Sequence, residues 1–382
     1  MASHIGSRIA RLIALLCLCT GVRAAETDRV VSDLCGKSVA MLGESPLHGF
    51  GKTLEFKVEL VRRLVGECHF NAFFIESGIY DFLNIQRRLR SGQEVTEPMV
   101  AAAIGGLWAT REVQPLIPFL LEKAKSGNVV LGGLDDQLGR GTWAQRDLPA
   151  DLTEHLTDEA KSRCLAILQR HTLWQYGSDS PYGPKDKALI LGCLDRVDAS
   201  EYDAAMVDSL KRLFARDFRA DVPAGADTRL LDGNDRDRSM YLNFQWLMAR
   251  LPARSKVIVW AATTHVAKEL SGVSGAEGMV SFGSYVRREF GDRAFTLGFS
   301  AYSGSYAMTG QPVRQLSAAP ENSLDGRTSA DGVNYVSLGE LRKMGPIPAR
   351  ALGAGFKTAR WDEVVDGMVV FREERAPEFV RR

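Results

Sequence analysis

Four near-continuous apolar runs constrain this chain more than any other feature: "SVAMLG" from residue 38, "FNAFFIE" from 70, "NVVLGGL" from 128 and "KVIVWA" from 256. A strand with one wet face alternates apolar and polar side chains, whereas a strand covered on both faces reads as an unbroken apolar run. The runs, with "AFTLGF" from 294 as a fifth, therefore read as strands of a largely parallel central sheet flanked by helices, an α/β fold. Between the first two, "TLEFKVELVRRLV" sets Leu54, Val58, Val61 and Leu64 at helical spacing, so the opening is a βαβ unit expected to be right-handed. Residues from about 150 to 250 form a mostly helical insertion. There Ser200 is expected to cap "EYDAAMVDSLKRLFARDF", and Met240, Phe244, Leu247 and Leu251 make one face of a further helix.

With 45% hydrophobic residues and a net charge of +1, the chain has the material for a sizeable core and offers nothing that points to a nucleic-acid partner. Residues 1–24 read as a signal peptide, with Arg8 and Arg11 ahead of the apolar run Leu12–Leu18 and small residues at Val22 and Ala24 before a cut at Ala25. The run is too short to span a bilayer. The expected address is periplasmic or secreted, the remainder being one domain over 25–382. Export leaves Cys35, Cys68, Cys164 and Cys193 in an oxidising compartment. Cys35 and Cys68 each lie two residues before an apolar run, on one edge of the sheet if those runs are neighbours. Cys164 and Cys193 flank the turn-rich "YGSDSPYGPKD" on two helix-like segments. The expected pairs are Cys35 with Cys68 and Cys164 with Cys193; small buried hydrophobes are the alternative.

Each of the four runs is followed by a residue able to do proton chemistry: Glu44 and His48, Glu76, Asp135, and His265. Open parallel sheets bind ligands at that end of their strands. The stretch "LHGFGKT" tempts towards a phosphate loop, but the first glycine of that signature is replaced by Pro46, which removes a backbone N–H and fixes φ. No G-x-S-x-G elbow and no H-E-x-x-H helix occurs. A histidine flanked by carboxylates suits the activation of water for attack on a carbonyl, without a covalent intermediate.

The same residues carry a resemblance. "LGESPLHGFGKTLEFKVELVRRLV", "FFIESGIYDFLNIQRRLRSG", "GLWATREVQPLIPFL", "GGLDDQ", "NDRDRSMYLNFQWL", "VIVWAATTHVAK" and the closing "WDEVVDGMVVFREERAP" resemble, in order, the erythromycin esterase family. The resemblance implies a metal-independent or weakly metal-sensitive hydrolase, here expected to act on a small-molecule ester or lactone with no cofactor. In it His48 is the general base with Glu44 and Glu76 as carboxylate partners, and His265 binds or polarises the carbonyl. Lys57, Trp108, Arg111 and Asp135 fall at substrate-binding places, and Arg236, Asp237 and Met240 at a supporting segment.

Three departures from the family pattern matter. Glu44 and His48 are four residues apart rather than three, Ala262 stands where a second histidine is common, and Lys57 stands where an arginine is expected. They point to a divergent member whose substrate need not be a macrolide. Two alternatives stay open at this point: a non-catalytic exported binding protein, for example for haem, and a metal-dependent hydrolase using His48, Glu76, Asp135 and His265 as ligands.

Overall fold

The structure, a computed structural model, describes residues 25–198, 201–216, 228–328 and 332–380. The signal-peptide reading and the Ser200 cap lie outside the described residues. All five apolar runs are strands: β1 Val39–Leu42, β2 Ala72–Gly78, β3 Val130–Asp135, β4 Val257–Trp260 and β5 Ala294–Tyr306. They belong to one eight-stranded sheet with β6 Arg314–Leu316, β7 Val333–Ser337 and β10 Gly367–Glu374, while β8 Pro346–Ala349 and β9 Lys357–Arg360 form a separate hairpin. The order is β3-β2-β4-β1-β5-β10-β7, parallel from β3 to β10, with β7 antiparallel at the edge and β6 antiparallel on β5. Strand β10, in the closing segment, was not foreseen.

The apolar runs do as double burial requires. Ala40, Leu42, Phe73, Ile75, Ile258 and Trp260 face a core shared with α1, Gly51–Cys68, through its Leu54, Val58, Val61 and Leu64. The alternate residues Val39, Met41, Ala72, Phe74, Val257 and Val259 face a second core. That face is covered by α2, Ile79–Arg90, and by four helices of the span between β3 and β4. These are α3, Asp158–Thr172, α4, Pro184–Leu194, α5, Glu201–Ala215, and α6, Thr228–Met248, and α7, Phe282–Phe290, joins them.

Strand β4 lies between β1 and β2, so the connection from β1 to β2 passes β4 while that from β4 to β5 passes β1. The two connections leave the C-terminal edge in opposite directions across the sheet. Such a crossing opens a crevice at the strand ends.

The stretch that suggested a phosphate loop meets a carboxyl group of the chain itself, which burial raises to about 7. Helix α1 has no side-chain cap of its own, and the buried carboxylate of Glu374, at the end of β10, takes its N-terminal donors. Lys52 N donates to Glu374 Oε1 at 2.6 Å, and Thr53 N and Oγ1 donate to Oε2 at 3.1 and 2.8 Å. A negative group at a helix N-terminus meets both unpaired N–H groups and the positive end of the macrodipole. Here the chain itself fills the position a bound phosphate would take.

Both expected disulfides are formed, with Cα atoms 5.0 Å apart in Cys35–Cys68 and 5.4 Å in Cys164–Cys193. The reasoning for the first pair needs correction, because β1 and β2 are not neighbours. The half-cystines flank the start of β4, and Lys256 Nζ donates to the carbonyls of both Cys35 and Cys68. No helix among the described residues is long and apolar enough to cross a membrane.

Candidate active site

The loop after β1 is drawn tightly over its neighbours, which explains the glycines around it. A Cβ on Gly43 would stand 2.6 Å from Thr263 Oγ1, and one on Gly49 2.2 Å from the Ala307 carbonyl oxygen. His48 between them has φ 50°, a left-handed conformation unusual for a residue with a Cβ. That turn brings its Nδ1 to 2.7 Å from Glu44 Oε1. The four-residue spacing therefore still produces a direct pair.

Glu44 is the hub of this half of the site. Its Oε1 also accepts from Trp108 Nε1 at 2.7 Å, and its Oε2 from Lys57 Nζ at 2.8 Å. Lys57 is fully buried, with its ammonium 4.1 Å from the centroid of the Trp260 ring. Burial pushes that ammonium down to about 8, against the pull of Glu44. Burial pushes the Glu44 carboxyl up, yet Lys57 and His48 outweigh it and hold it below its ordinary range. An ionised, acceptor-only carboxylate fixes the imidazole with Nδ1–H towards it. His48 Nε2 has no hydrogen-bond partner among the described residues, and its side chain keeps 10% exposure where Glu44 keeps 2%.

The second half is an ion network centred on Arg236 of α6. Its Nε and Nη2 clamp Asp135, with Nη2 2.7 Å from Oδ2, and Nη2 also donates to Glu76 Oε1 at 2.9 Å. His265 sets Nδ1 against Asp237 Oδ1 at 2.8 Å and Nε2 against Glu76 Oε1 at 3.1 Å. Burial pushes this imidazole down, but Asp237 and Glu76 outweigh it and raise it to about 10. Glu76 is pushed up by burial and held well below its ordinary range by His265 and Arg236.

The turn after β4 ties the halves together. Ala262 N donates to Glu76 Oε2 at 2.8 Å, and Thr263 N to the Glu44 carbonyl at 2.7 Å. The field of Glu76 is felt at Lys57, and that of His48 at Glu76. Glu44, His48, Glu76, Asp135 and His265 thus stand close together at the C-terminal edge of the sheet, the first, third and fourth of them buried.

The residues expected to bind substrate sit differently. Lys57 and Trp108 are buried supports of Glu44, and Asp135 is enclosed by Arg236. Arg111 is not brought to the cluster: its side chain is 73% exposed and pairs with Glu378 at 3.1 Å. It lines a separate cavity of about 440 Å³ with Glu55, Arg62 and Arg375. Arg236 and Asp237, read as support, hold the centre of the network. Among the described residues no three His, Cys, Asp or Glu side chains are grouped to hold a metal ion, and Glu76, Asp135 and His265 surround a guanidinium.

The protein is thus an α/β protein with a mostly parallel sheet that carries a histidine–glutamate pair and a buried ion network at its C-terminal edge, where such sheets place their ligand sites. The sequence model named Erythromycin esterase matches residues 65–373, and the chain belongs to that family. A curated relative, "Putative hydrolase YbfO" of Bacillus subtilis (strain 168), is 23% identical over 308 residues, covering 71% of this chain and 66% of the relative. The chain thus spans just under two thirds of that relative's length. Among solved structures, a succinoglycan biosynthesis protein superposes with TM-score 0.69 at 14% identity, covering 92% of each chain. The erythromycin esterase EreC, a mutant in its open conformation, gives 0.64 at 14% identity, covering 92% of this chain and 94% of its own. At such identity these structures show the fold alone.

Proposed function

We propose that this protein is an exported hydrolase of carboxylic esters or lactones in which His48 activates water. The observation that carries the reading is the Nδ1 contact to an ionised Glu44, which leaves the Nε2 lone pair of His48 as an unpartnered base at the crevice. A water held by Nε2 gives up its proton as it adds to the carbonyl carbon. The imidazolium so formed is stabilised by Glu44 and returns the proton to the leaving alkoxide. In this reading Arg236, whose side chain keeps 19% exposure, donates to the developing oxyanion. The two disulfides fit an oxidising compartment.

The test is a panel of esters and lactones offered to the chain from Ala25 onward. His48→Asn is expected to lower kcat by about 10²–10⁴-fold with the fold intact. An unchanged rate in that variant would end the mechanism.

A further inference from the structure

We propose that the ion pair of Glu112 and Arg375 is a positioning knot for Glu44 and His48. It joins the loop that carries Trp108 to the turn that carries His48, and so sets the indole against Glu44. That the knot serves catalysis rests on the hydrolase reading above.

Trp108 touches both members of the pair. Its Nε1 donates at 2.7 Å to Glu44 Oε1, the oxygen that also meets His48 Nδ1, and its ring meets the His48 ring edge to face with centroids 5.1 Å apart. Two donors share one carboxylate oxygen, so moving the indole changes both the charge that the imidazole feels and the wall it rests on.

The loop that presents Trp108 has little regular structure of its own. Gly105, at φ 97°, turns out of the helix Glu97–Ile104, and Gly106–Trp108 is a single 3₁₀ turn in which Leu107 is exposed and Trp108 is buried. The loop is fixed at both ends. At the first, Ser77 Oγ, next to Glu76, donates to the Ile104 carbonyl at 2.6 Å. At the second, the residues after β10 run alongside it. Arg111 N donates to the Glu378 carbonyl at 2.8 Å and Val380 N to that of Ala109 at 2.9 Å, a short antiparallel bridge.

Glu112 fastens this bridge. Its side chain is 2% exposed, its Oε1 accepts from Arg375 Nη1, and both its oxygens lie within reach of Glu378 N, at 3.3 and 3.2 Å. A carboxylate buried so deeply needs a cation against it, and Arg375 is that cation. Arg375 also holds the other side. Its carbonyl accepts at 2.7 Å from Gly51 N, the first residue of α1 and the third beyond His48. A Cβ on Gly51 would stand 3.1 Å from Arg375 Nη1, from the Arg375 carbonyl oxygen and from Glu112 Oε1, so glycine lets the knot close over the start of the helix. Three stretches distant in sequence, Trp108 to Glu112, His48 to Gly51 and Arg375 to Val380, meet at one ion pair. Without it the loop keeps its anchor at Ser77 and loses the fastening behind Trp108, so the indole can leave Glu44 while the sheet stays folded.

Arg375→Met and Glu112→Gln break the pair, and Arg375→Lys keeps a cation on Glu112. The Arg375 side chain is 40% exposed, which makes Arg375→Met the milder cut. In proton–nitrogen NMR spectra of the chain from Ala25 onward, the indole N–H of Trp108 is identified by its loss in Trp108→Phe. Bonded to a carboxylate, it should lie downfield in the wild type and exchange slowly. We expect it to move upfield and exchange about tenfold faster in Arg375→Met and Glu112→Gln, with the rest of the spectrum in place, and to recover in Arg375→Lys. With an ester that the wild type cleaves, kcat should fall by about tenfold in Arg375→Met while KM changes little, and Arg375→Lys should restore it. A Trp108 signal unmoved in both Arg375→Met and Glu112→Gln, or a kcat that they leave unchanged in a chain that His48→Asn silences, overturns the proposal. The spectra need no substrate, and hydrolysis that survives His48→Asn strikes the mechanism instead, so the two failures are read in different variants.

Discussion

Arg236 Nη1 and His265 Nε2 stand 3.0 Å apart, two groups that both carry positive charge, with Glu76 Oε1 accepting from each residue. Two cations tolerate that separation only because a carboxylate lies against both and Asp237 holds the far side of the imidazole. His265 is therefore a charged fixture, and the proposed base, His48, belongs to the other half of the site.

The first prediction follows from that charge. The proton is held more tightly in the folded state, at about 10, than in the unfolded chain, at the ordinary 6.5. The stabilisation is full below pH 6.5 and is lost as pH rises towards about 10. NMR of labelled imidazoles should show His265 protonated at pH 8, and His265→Gln should flatten the decline of stability over that window. A His265 that titrates near its ordinary value would refute this.

Lys57 supplies the second. Its ammonium is lost above about 8, and with it the counter-charge on Glu44 Oε2. The pH–rate profile should fall on its alkaline side near pH 8. Lys57→Arg, which keeps its charge, should move that limb out of range. An alkaline limb left in place by Lys57→Arg would assign it to another group.

Glu374 gives the third. Glu374→Ala strands three donors at the start of α1 and should cost about 1–3 kcal/mol in denaturant unfolding, with Glu374→Gln costing less because its amide oxygen still accepts. Inorganic phosphate should not stabilise the wild type, since the carboxylate already holds the site. Phosphate-dependent stabilisation would revive the nucleotide-loop reading.

The fourth concerns the covalent link between α3 and α4. Cys164 and Cys193 are 29 residues apart, and replacing both by serine should cost about 2–4 kcal/mol on the chain-entropy view. Calorimetry with and without the bond decides it, and a loss below a few tenths would show that the helical span is held by packing alone.

The strands were legible because burial on both faces leaves few polar letters, mostly at the ends, in the runs around Val39, Phe73, Leu131 and Ile258. Strand β10 was not, since "GMVVFREE" turns polar halfway, where β10 runs beyond its pairing with β7. Strand order was illegible too, because nothing local to Ile258 says that it pairs with both Ala40 and Phe73. At the site, Glu44, His48, Glu76, Asp135 and His265 could be found because each stands in the last residues of a strand or shortly after one. Arg236 could not be weighted correctly. Its importance lies in reaching Asp135 and Glu76 from a helix far along the chain, and a helix sequence does not record what its arginine reaches. Trp108 was noticed, but the carboxylate that its indole meets was not.

The place of β4 has a consequence for how the chain comes together. Residues 39–78 hold two strands that never touch, and the slot between them stays empty until Val257–Trp260 has been synthesised and docked. Pairing across so long a stretch of sequence is slow, because loop-closure entropy precedes the contacts that offset it. The Cys35–Cys68 bond encloses β1 and α1 and needs nothing from later in the chain, so it can form early and hold the two sides of the slot at a fixed separation. Lys256, just before the late strand, is bound to the carbonyls of both half-cystines and so ties that strand to the closed bridge. Oxidation before docking would make folding a matter of inserting one strand into a prepared gap, and a chain kept reduced would search for that gap with both its walls adrift.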